Sequence, residues 1–516
     1  MKGYVSFVLH THMPYVRKNG TWPVGEDWLF RAMSEVYMPL LDALERLSDE
    51  GLTSCLALTL TPVLCEQLAD PYLQERFVAH LKTMAEHTAG DIRDFEYFHD
   101  EERRALADEY YERYEKKLIS FLSMDGDIIG AIRSFEEQGL IETVASSATH
   151  AFLPSQGSEQ VVSYQIAIGI DSHRRHLGVG PVGFWIPECA YRDGIEKTLE
   201  AEGIRYFIAD PSAAPDVSST CPHLVGDSSV AVLLRSDRAH DNVWDERSGY
   251  PADALYMDTT RYYHGSGLRY WKVTGPGVSM EKKAVYEPGA AMARALDHSR
   301  HFMIDASSEI SDAPACEGGA LPLVVASYDT ELFGHGWHEG VYWLEVMLRS
   351  LAASDSVGLA TPALYLENNR PGSAIQLLST SWGTNRDHST WVNRETGWMW
   401  DELGKSQDKL FELLRRFECK DHPDITRALS QAAREVLLLE SSDWPYMVAK
   451  DRAKKYATQR FSTHLERFWK IADALESGKA DREIAGLSEI EETDRLFAEL
   501  DLGVISKGKS SSGEGS

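Results

Sequence analysis

Cysteine is scarce in this chain. Six of the 516 residues are cysteine (Cys55, Cys65, Cys189, Cys221, Cys316, Cys419), and no two form a Cys-x-x-Cys pair. This spacing argues against a cysteine zinc site and against a disulfide framework. A thiol-bearing cytoplasmic protein is the simplest reading. Positive charge is scarce too: 52 Lys and Arg face 80 Asp and Glu, a net charge of −28. A surface so poor in cations excludes binding to nucleic acid or to an anionic membrane as a function class. Long apolar runs are missing, since none approaches the ~20 residues of a membrane span. The opening run Gly3–Leu9 ends too soon, at His10, for a signal peptide. Apolar residues are plentiful, however. At 43% hydrophobic and 10% aromatic, the bulk of the chain is no disordered polymer. Its length predicts roughly three structural units, two of which one large α/β barrel can absorb.

Short apolar runs alternate with helical patterns. Tyr4–Leu9, Leu52–Leu60, Thr143–Ser147, Val182–Ile186, Tyr206–Ala209, Leu321–Ser327 and Ala374–Leu378 read as buried strands, with helices such as Glu101–Leu122 and Gln160–His176 between them. Strand and helix in repetition predict a parallel sheet or barrel with helices outside. Residues 191–275 mix Gly, Pro, Asp and aromatics and read as an inserted subdomain. Beyond Asp401 only helical spacing remains, and the Ser/Gly/Lys-rich stretch from Ser506 reads as a disordered tail.

Ionisable groups sit where four of these runs end. His10 and His12 follow the first, His150 follows Thr143–Ser147, Glu188 follows Val182–Ile186, and Asp329 follows Leu321–Ser327. In a βα barrel the strand C-termini converge on one mouth, which carries the chemistry. A polar residue must follow every strand, so each position alone also reads as a cap: Glu188 at a helix N-terminus, Asp329 as an N-cap. Taken together, two carboxylates on two strand ends are what acid-catalysed acetal cleavage needs. His10 and His12, two apart on an extended segment, point to one side. They suit either a metal or hydrogen bonding to sugar hydroxyls, and the metal-free reading is preferred because no full ligand set is evident. Thirteen tryptophans form a second signal. Trp22, Trp28, Trp185, Trp271, Trp337, Trp382, Trp391 and Trp400 lie in or near these motifs rather than in regular apolar periodicity, which suits stacking on sugar rings as well as core filling.

These residues resemble glycoside hydrolase family 57, in the style of its 1,4-α-glucan branching members. His10-Thr11-His12, with Trp22-Pro23 and Trp28, is similar to the first motif, and Ala148-Thr149-His150 to the second. Gly183 to Tyr191 is similar to the nucleophile motif, Ser327 to Trp337 to the acid motif, and Ser381-Trp382-Gly383 with Trp391 to the fifth. Ser441-Ser442-Asp443-Trp444-Pro445 is similar to a branching-type signature.

The resemblance implies a seven-stranded (β/α) barrel (residues 1–190 and 276–400), an inserted small domain with an active-site loop (191–275), a C-terminal all-helical domain (401–505) and a disordered tail (506–516). It implies cleavage of an α-1,4-glucan by retaining double displacement and transfer to a 6-hydroxyl as an α-1,6 branch, with Glu188 as nucleophile and Asp329 as general acid/base. His10, His12, His150 and the aromatics Trp22, Trp28, Tyr250, Trp271, Trp337, Trp382, Trp391 and Trp400 would bind glucan, with no metal and no cofactor. Tyr250, in the turn Val243–Pro251, would cover the intermediate. Asn385-Arg386 and Gly336 depart from the family pattern near acceptor-side surfaces. An α-amylase or 4-α-glucanotransferase would use the same carboxylates. From a different class, a metal-dependent polysaccharide deacetylase would use His10, His12 and an Asp, and a glucan-binding protein without turnover would lack working carboxylates. The expected partner is α-glucan, with no nucleic acid and no membrane, for a monomer or small homo-oligomer.

Overall fold

A computed structural model describes residues 1–245, 248–417, 422–477 and 486–507. Ten strands are present among them: β1 Gly3–Thr11, β2 Leu56–Leu60, β3 Ile141–Ser146, β4 Gly183–Trp185, β5 Tyr206–Ala209, β6 His223–Val225, β7 Ala231–Leu234, β8 Leu323–Asp329, β9 Val357–Leu359 and β10 Gly372–Ile375. Seven run parallel in the order β8-β1-β2-β3-β4-β5-β7. A parallel bridge between Arg235 and Val325, with Ser236 N–H donating to Val325 O at 2.8 Å, joins the end of β7 to β8 and curls the sheet toward closure. Every residue of β2 is buried, as in parallel strands covered by helices on the outside and side chains within.

Several sequence boundaries move. β5 and β7 belong to the ring, so residues 191–275 are not a separate insert. The peripheral strands β6 and β10 hang on its edge. The expected buried strand Ala374–Leu378 is a half-exposed edge strand that stops at Ile375, because β6 is its single neighbour. The larger insertion lies between β2 and β3. There the helices Pro71–Tyr97 and Glu101–Ser123 pair as a hairpin. Asp70 and Asp100 cap them by accepting the backbone N–H three residues on.

Helices Gly397–Phe417, Pro423–Leu439, Asp443–Ala449 and Lys454–Glu476 form the helical C-terminal region. It does not stand apart from the barrel: Tyr15, Val63, Ala148 and Tyr164 share one apolar cluster with Leu413, Val436 and Phe468. That packing lays Ser441–Asp443 across the barrel mouth, where Ser442 N–H donates to His150 O at 3.0 Å. The tail at 508–516 and Cys419 lie outside the described residues, and no helix among the described residues is long and apolar enough to cross a membrane.

The all-thiol expectation is corrected. Cys221 and Cys316 are joined in a disulfide across 95 residues of sequence, a pairing with no local spacing to betray it. Closing a loop of that size restricts the unfolded chain by about 4–5 kcal/mol in the chain-entropy account. Cys316→Ser is therefore expected to lower the urea midpoint markedly, and an unchanged midpoint would show that the bridge bears no load.

Candidate active site

Parallel register sets the site. Across β1 and β8, His10 pairs with Asp329; across β1 and β2, His10 pairs with Thr59. Strands that run together end together, so their last residues meet at one mouth. Glu188 emerges just past β4 in a short turn, Pro187–Cys189, and takes a left-handed backbone (φ 63°). His150 does the same (φ 56°). Such conformations at non-glycine residues cost on the order of 1–3 kcal/mol each. Both are held from outside the strands: Trp382 N–H donates to Glu188 O at 3.0 Å, and Ser442 N–H grips His150. The capping reading of Asp329 fails. Asp329 makes no capping hydrogen bond, and the next α-helix begins only at Gly340.

The two carboxyl groups differ in how they are held. Glu188 accepts hydrogen bonds from Trp382 Nε1 (2.8 Å) and Ser442 Oγ (2.9 Å). Burial pushes its pKa up to about 6, and those two donors restrain the rise. Among the described residues no donor engages the Asp329 carboxylate. Burial, with the neighbouring Glu188 charge added, pushes it up to about 7. One buried group thus favours the anion and the other keeps its proton longer, which is how acid and base roles separate.

Three imidazoles line the same mouth. His10 Nε2 and His150 Nε2 share a hydrogen bond of 2.9 Å, and His10 stacks on Trp185 with centroids 4.7 Å apart. His12 lies over His150 at 3.8 Å and bonds Thr61 Oγ1 (3.0 Å) and Asp443 Oδ2 (3.0 Å). Burial keeps His10 and His150 neutral. Burial also opposes charge on His12, but Asp443 outweighs it and raises the imidazole, while His12 in turn holds Asp443 low. The result is a buried ion pair beside two neutral rings.

His12, His150 and Asp443 bring their ligand atoms within 4.8 Å of one another, so a metal reading can be tested on geometry. Imidazole lone pairs lie in the ring plane and reach zinc at ~2.0–2.1 Å. Here the rings are stacked at 3.8 Å and nearly parallel (14°). An ion midway would stand about 1.9 Å out of both planes, half that spacing. Both nitrogens of His150 are already engaged, by His10 and Ser442. The trio fits a hydrogen-bonded positioning device, not a chelate.

The aromatic expectations divide. Trp382 touches Glu188 directly and meets Trp185 edge to face. Trp391 and Trp400 sit behind it: Trp391 is buried on Phe152, and Trp400 Nε1 donates to Trp391 O. Trp28 packs against Tyr456, and Trp22 is 78% exposed. Three expected glucan contacts are corrected. Trp271 is covered by the guanidinium of Arg261 at 3.7 Å. Trp337 is a core residue at 1% exposure against Trp343. Tyr250 is buried, stacked on His298 at 4.3 Å with its hydroxyl on His301 Nδ1. Each fills an apolar layer behind the strands, because the helix Pro288–Asp312 and the segment 250–286 supply a core that sequence spacing does not reveal.

Other site residues escaped the sequence reading. Asp443 and Ser442 were legible only as part of a signature. Glu331, two residues past Asp329, accepts from Tyr37 OH (2.6 Å) and His12 N–H (3.3 Å). Burial pushes it to about 8, so it is neutral at pH 7. Tyr446 is raised by burial and faces the charges of Glu188, Asp329 and Asp443.

The model of Glycosyl hydrolase family 57 matches residues 6–266, and that of the 1,4-alpha-glucan branching enzyme C-terminal region matches 402–504. The chain is 37% identical to a 1,4-alpha-glucan branching enzyme of Thermococcus kodakarensis, over 98% of this chain and 78% of that one. A GH57-type branching enzyme of Pyrococcus horikoshii superposes with a TM-score of 0.91 at 35% identity, covering 98% and 97%. The alpha-amylase AmyC of Thermotoga maritima superposes at 0.88 and 28% identity, covering 98% and 99%. With its barrel, its strand-end carboxylates and its helical C-terminal region, the chain belongs to glycosyl hydrolase family 57.

Proposed function

We propose that the protein is a 1,4-α-glucan branching enzyme, and that the split acidities of the buried Glu188 and Asp329 carry its chemistry. Glu188 attacks the anomeric carbon of an α-1,4-linked glucosyl unit. The C1–O4 bond breaks, and Asp329 gives its proton to the departing oxygen. A glycosyl ester forms on Glu188. Asp329, now a carboxylate, takes the proton of an acceptor 6-hydroxyl, whose oxygen attacks C1 and expels Glu188 with net retention. Neutral His10, whose Nδ1 is buried without a hydrogen-bond partner among the described residues, offers a hydrogen bond to a hydroxyl of the reacting ring, and His150 holds that imidazole in place through its Nε2. The His12–Asp443 pair fixes their stack, and neutral Glu331 adds no negative charge that would push Asp329 further up. Trp382, Trp391 and Tyr446 form an apolar wall that keeps water from the ester.

Support for transfer over hydrolysis comes from the family match at 402–504 and from 37% identity to a branching enzyme against 28% to the amylase, whose fold is alike over the whole chain. Incubation with amylose followed by proton NMR tests it. The expected result is growth of α-1,6 anomeric signals with few new reducing ends; abundant reducing ends without α-1,6 signals would make the protein a hydrolase. The same proposal includes a cytoplasmic location and a monomer or small homo-oligomer, checked by fractionation and light scattering.

The pH profile follows from the pair. Glu188 must be ionised, so activity falls as pH drops through about 6. Asp329 must hold its proton, so activity falls as pH rises through about 7. A narrow bell of kcat/KM with its maximum between these limits is expected, its limbs belonging to the pair. Trp382→Phe removes a donor that stabilises the Glu188 anion. Its acidic limb should move to higher pH; a shift the other way would contradict this role.

A further inference from the structure

A cavity of about 540 Å3 lies away from the catalytic carboxylates. It is a groove between the Pro71–Tyr97/Glu101–Ser123 hairpin and the continuous helical run Glu26–Asp49. One face of that run lines it from end to end: Asp27, Arg31, Glu35, Pro39, Asp42 and Arg46. At 1.5 Å per residue this stripe is about 28 Å long, the reach of several glucosyl units rather than of one small metabolite. Neither Glu188, Asp329 nor Trp382 borders it.

Its chemistry is distinctive. The cations are largely matched by acids in the wall: Arg31 pairs with Glu35 (3.1 Å) and Arg46 with Glu345 (2.7 Å). Four carboxylates in the lining stand against five cationic side chains, so the groove is close to charge balance and favours neither a polyanion nor a polycation. Tyr110, Tyr114, Tyr342 and three methionines supply flat or soft apolar faces, and the exposed indole of Trp22 stands at one end. Fixed carboxylate and guanidinium groups beside aromatic faces suit an uncharged, hydroxyl-rich chain, whose C–H faces stack and whose hydroxyls bond. The groove also abuts the acid loop: His335 Nδ1 lies 3.5 Å from Glu35, and Gly334 packs on the Glu35 backbone so tightly that a Cβ there would stand 2.1 Å from its carbonyl oxygen.

We infer that this groove is a second, non-catalytic binding site for a linear α-glucan segment, which holds a long chain on the enzyme while its reacting part occupies the catalytic mouth. The inference rests on the proposed glucan substrate and extends it to a separate surface.

Maltoheptaose binding to the full chain carrying Glu188→Gln is the test, because it needs no turnover. Calorimetry is expected to give two molecules per chain. Thr83→Trp and, independently, Met84→Trp each plug the groove wall and should reduce this to one. In the active background either plug should raise KM for long amylose at least tenfold while kcat on maltoheptaose stays within twofold. One molecule per chain in the parent overturns the inference whatever the plug variants do, as does a second site that survives in either folded variant. A chain that never branches yet loses its second molecule in the plugs would sink the enzymatic reading and leave the groove assignment standing.

Discussion

Glu188→Gln is expected to lower kcat/KM on amylose by at least ~10⁴-fold, equivalent to about 5.4 kcal/mol of transition-state stabilisation at 1.36 kcal/mol per decade. The amide cannot form the glycosyl ester, and the neighbouring groups cannot replace it: both ring nitrogens of His150 are hydrogen-bonded, His10 is tied to His150 through Nε2, and Asp443 is committed to His12. The protein should remain folded. In the native state Glu188 is raised to about 6 from an ordinary 4.5, so its ionised form, present above that pH, disfavours the folded state. Removing the charge relieves this at pH 7 and above, while costing one of two hydrogen bonds, about 1 kcal/mol. A thermal midpoint equal to or above that of the parent, with activity gone, is the expected signature. An active Glu188→Gln variant would refute the assignment.

Asp329→Asn is expected to act on one half of the chemistry. On amylose the loss should be ~10²–10⁴-fold, the usual worth of a general acid. A maltosyl fluoride needs no proton for its leaving group, so the first step should survive. The second step should not, because Asn cannot take the proton of an acceptor hydroxyl. The glycosyl ester on Glu188 should then accumulate and add the mass of two glucosyl units to the peptide that contains it. Equal losses on amylose and fluoride, with no mass increase, would show that Asp329 is not the acid/base.

The strand-end pattern was readable because it is local. An apolar run that must be buried on both faces ends where the chain meets solvent, and the first ionisable group beyond it is set by the peptide itself. His10, His150, Glu188 and Asp329 were all found in that way. The aromatic subsites were not. Trp337 and Trp382 stand in equally polar, glycine-bearing stretches, yet one fills the core beside Trp343 and the other donates to Glu188. Indole serves both uses, and only the packing of distant elements decides between them. Tyr250 illustrates the same limit, since its neighbours His298 and His301 are supplied by a helix about fifty residues on.

By itself, then, the order of residues determined the alternation of strand and helix, the helical C-terminal region, and which side chains stand at the mouth, since each depends on propensity and spacing within a few turns of chain. The folded arrangement alone decided which of them work together. His12 meets Asp443 across 431 positions, and Glu188 meets Ser442 across 254. Protonation is decided there as well. Desolvation and Coulomb interaction act through space, so Asp329 near 7, Glu188 near 6 and neutral Glu331 are properties of a buried assembly rather than of any peptide segment.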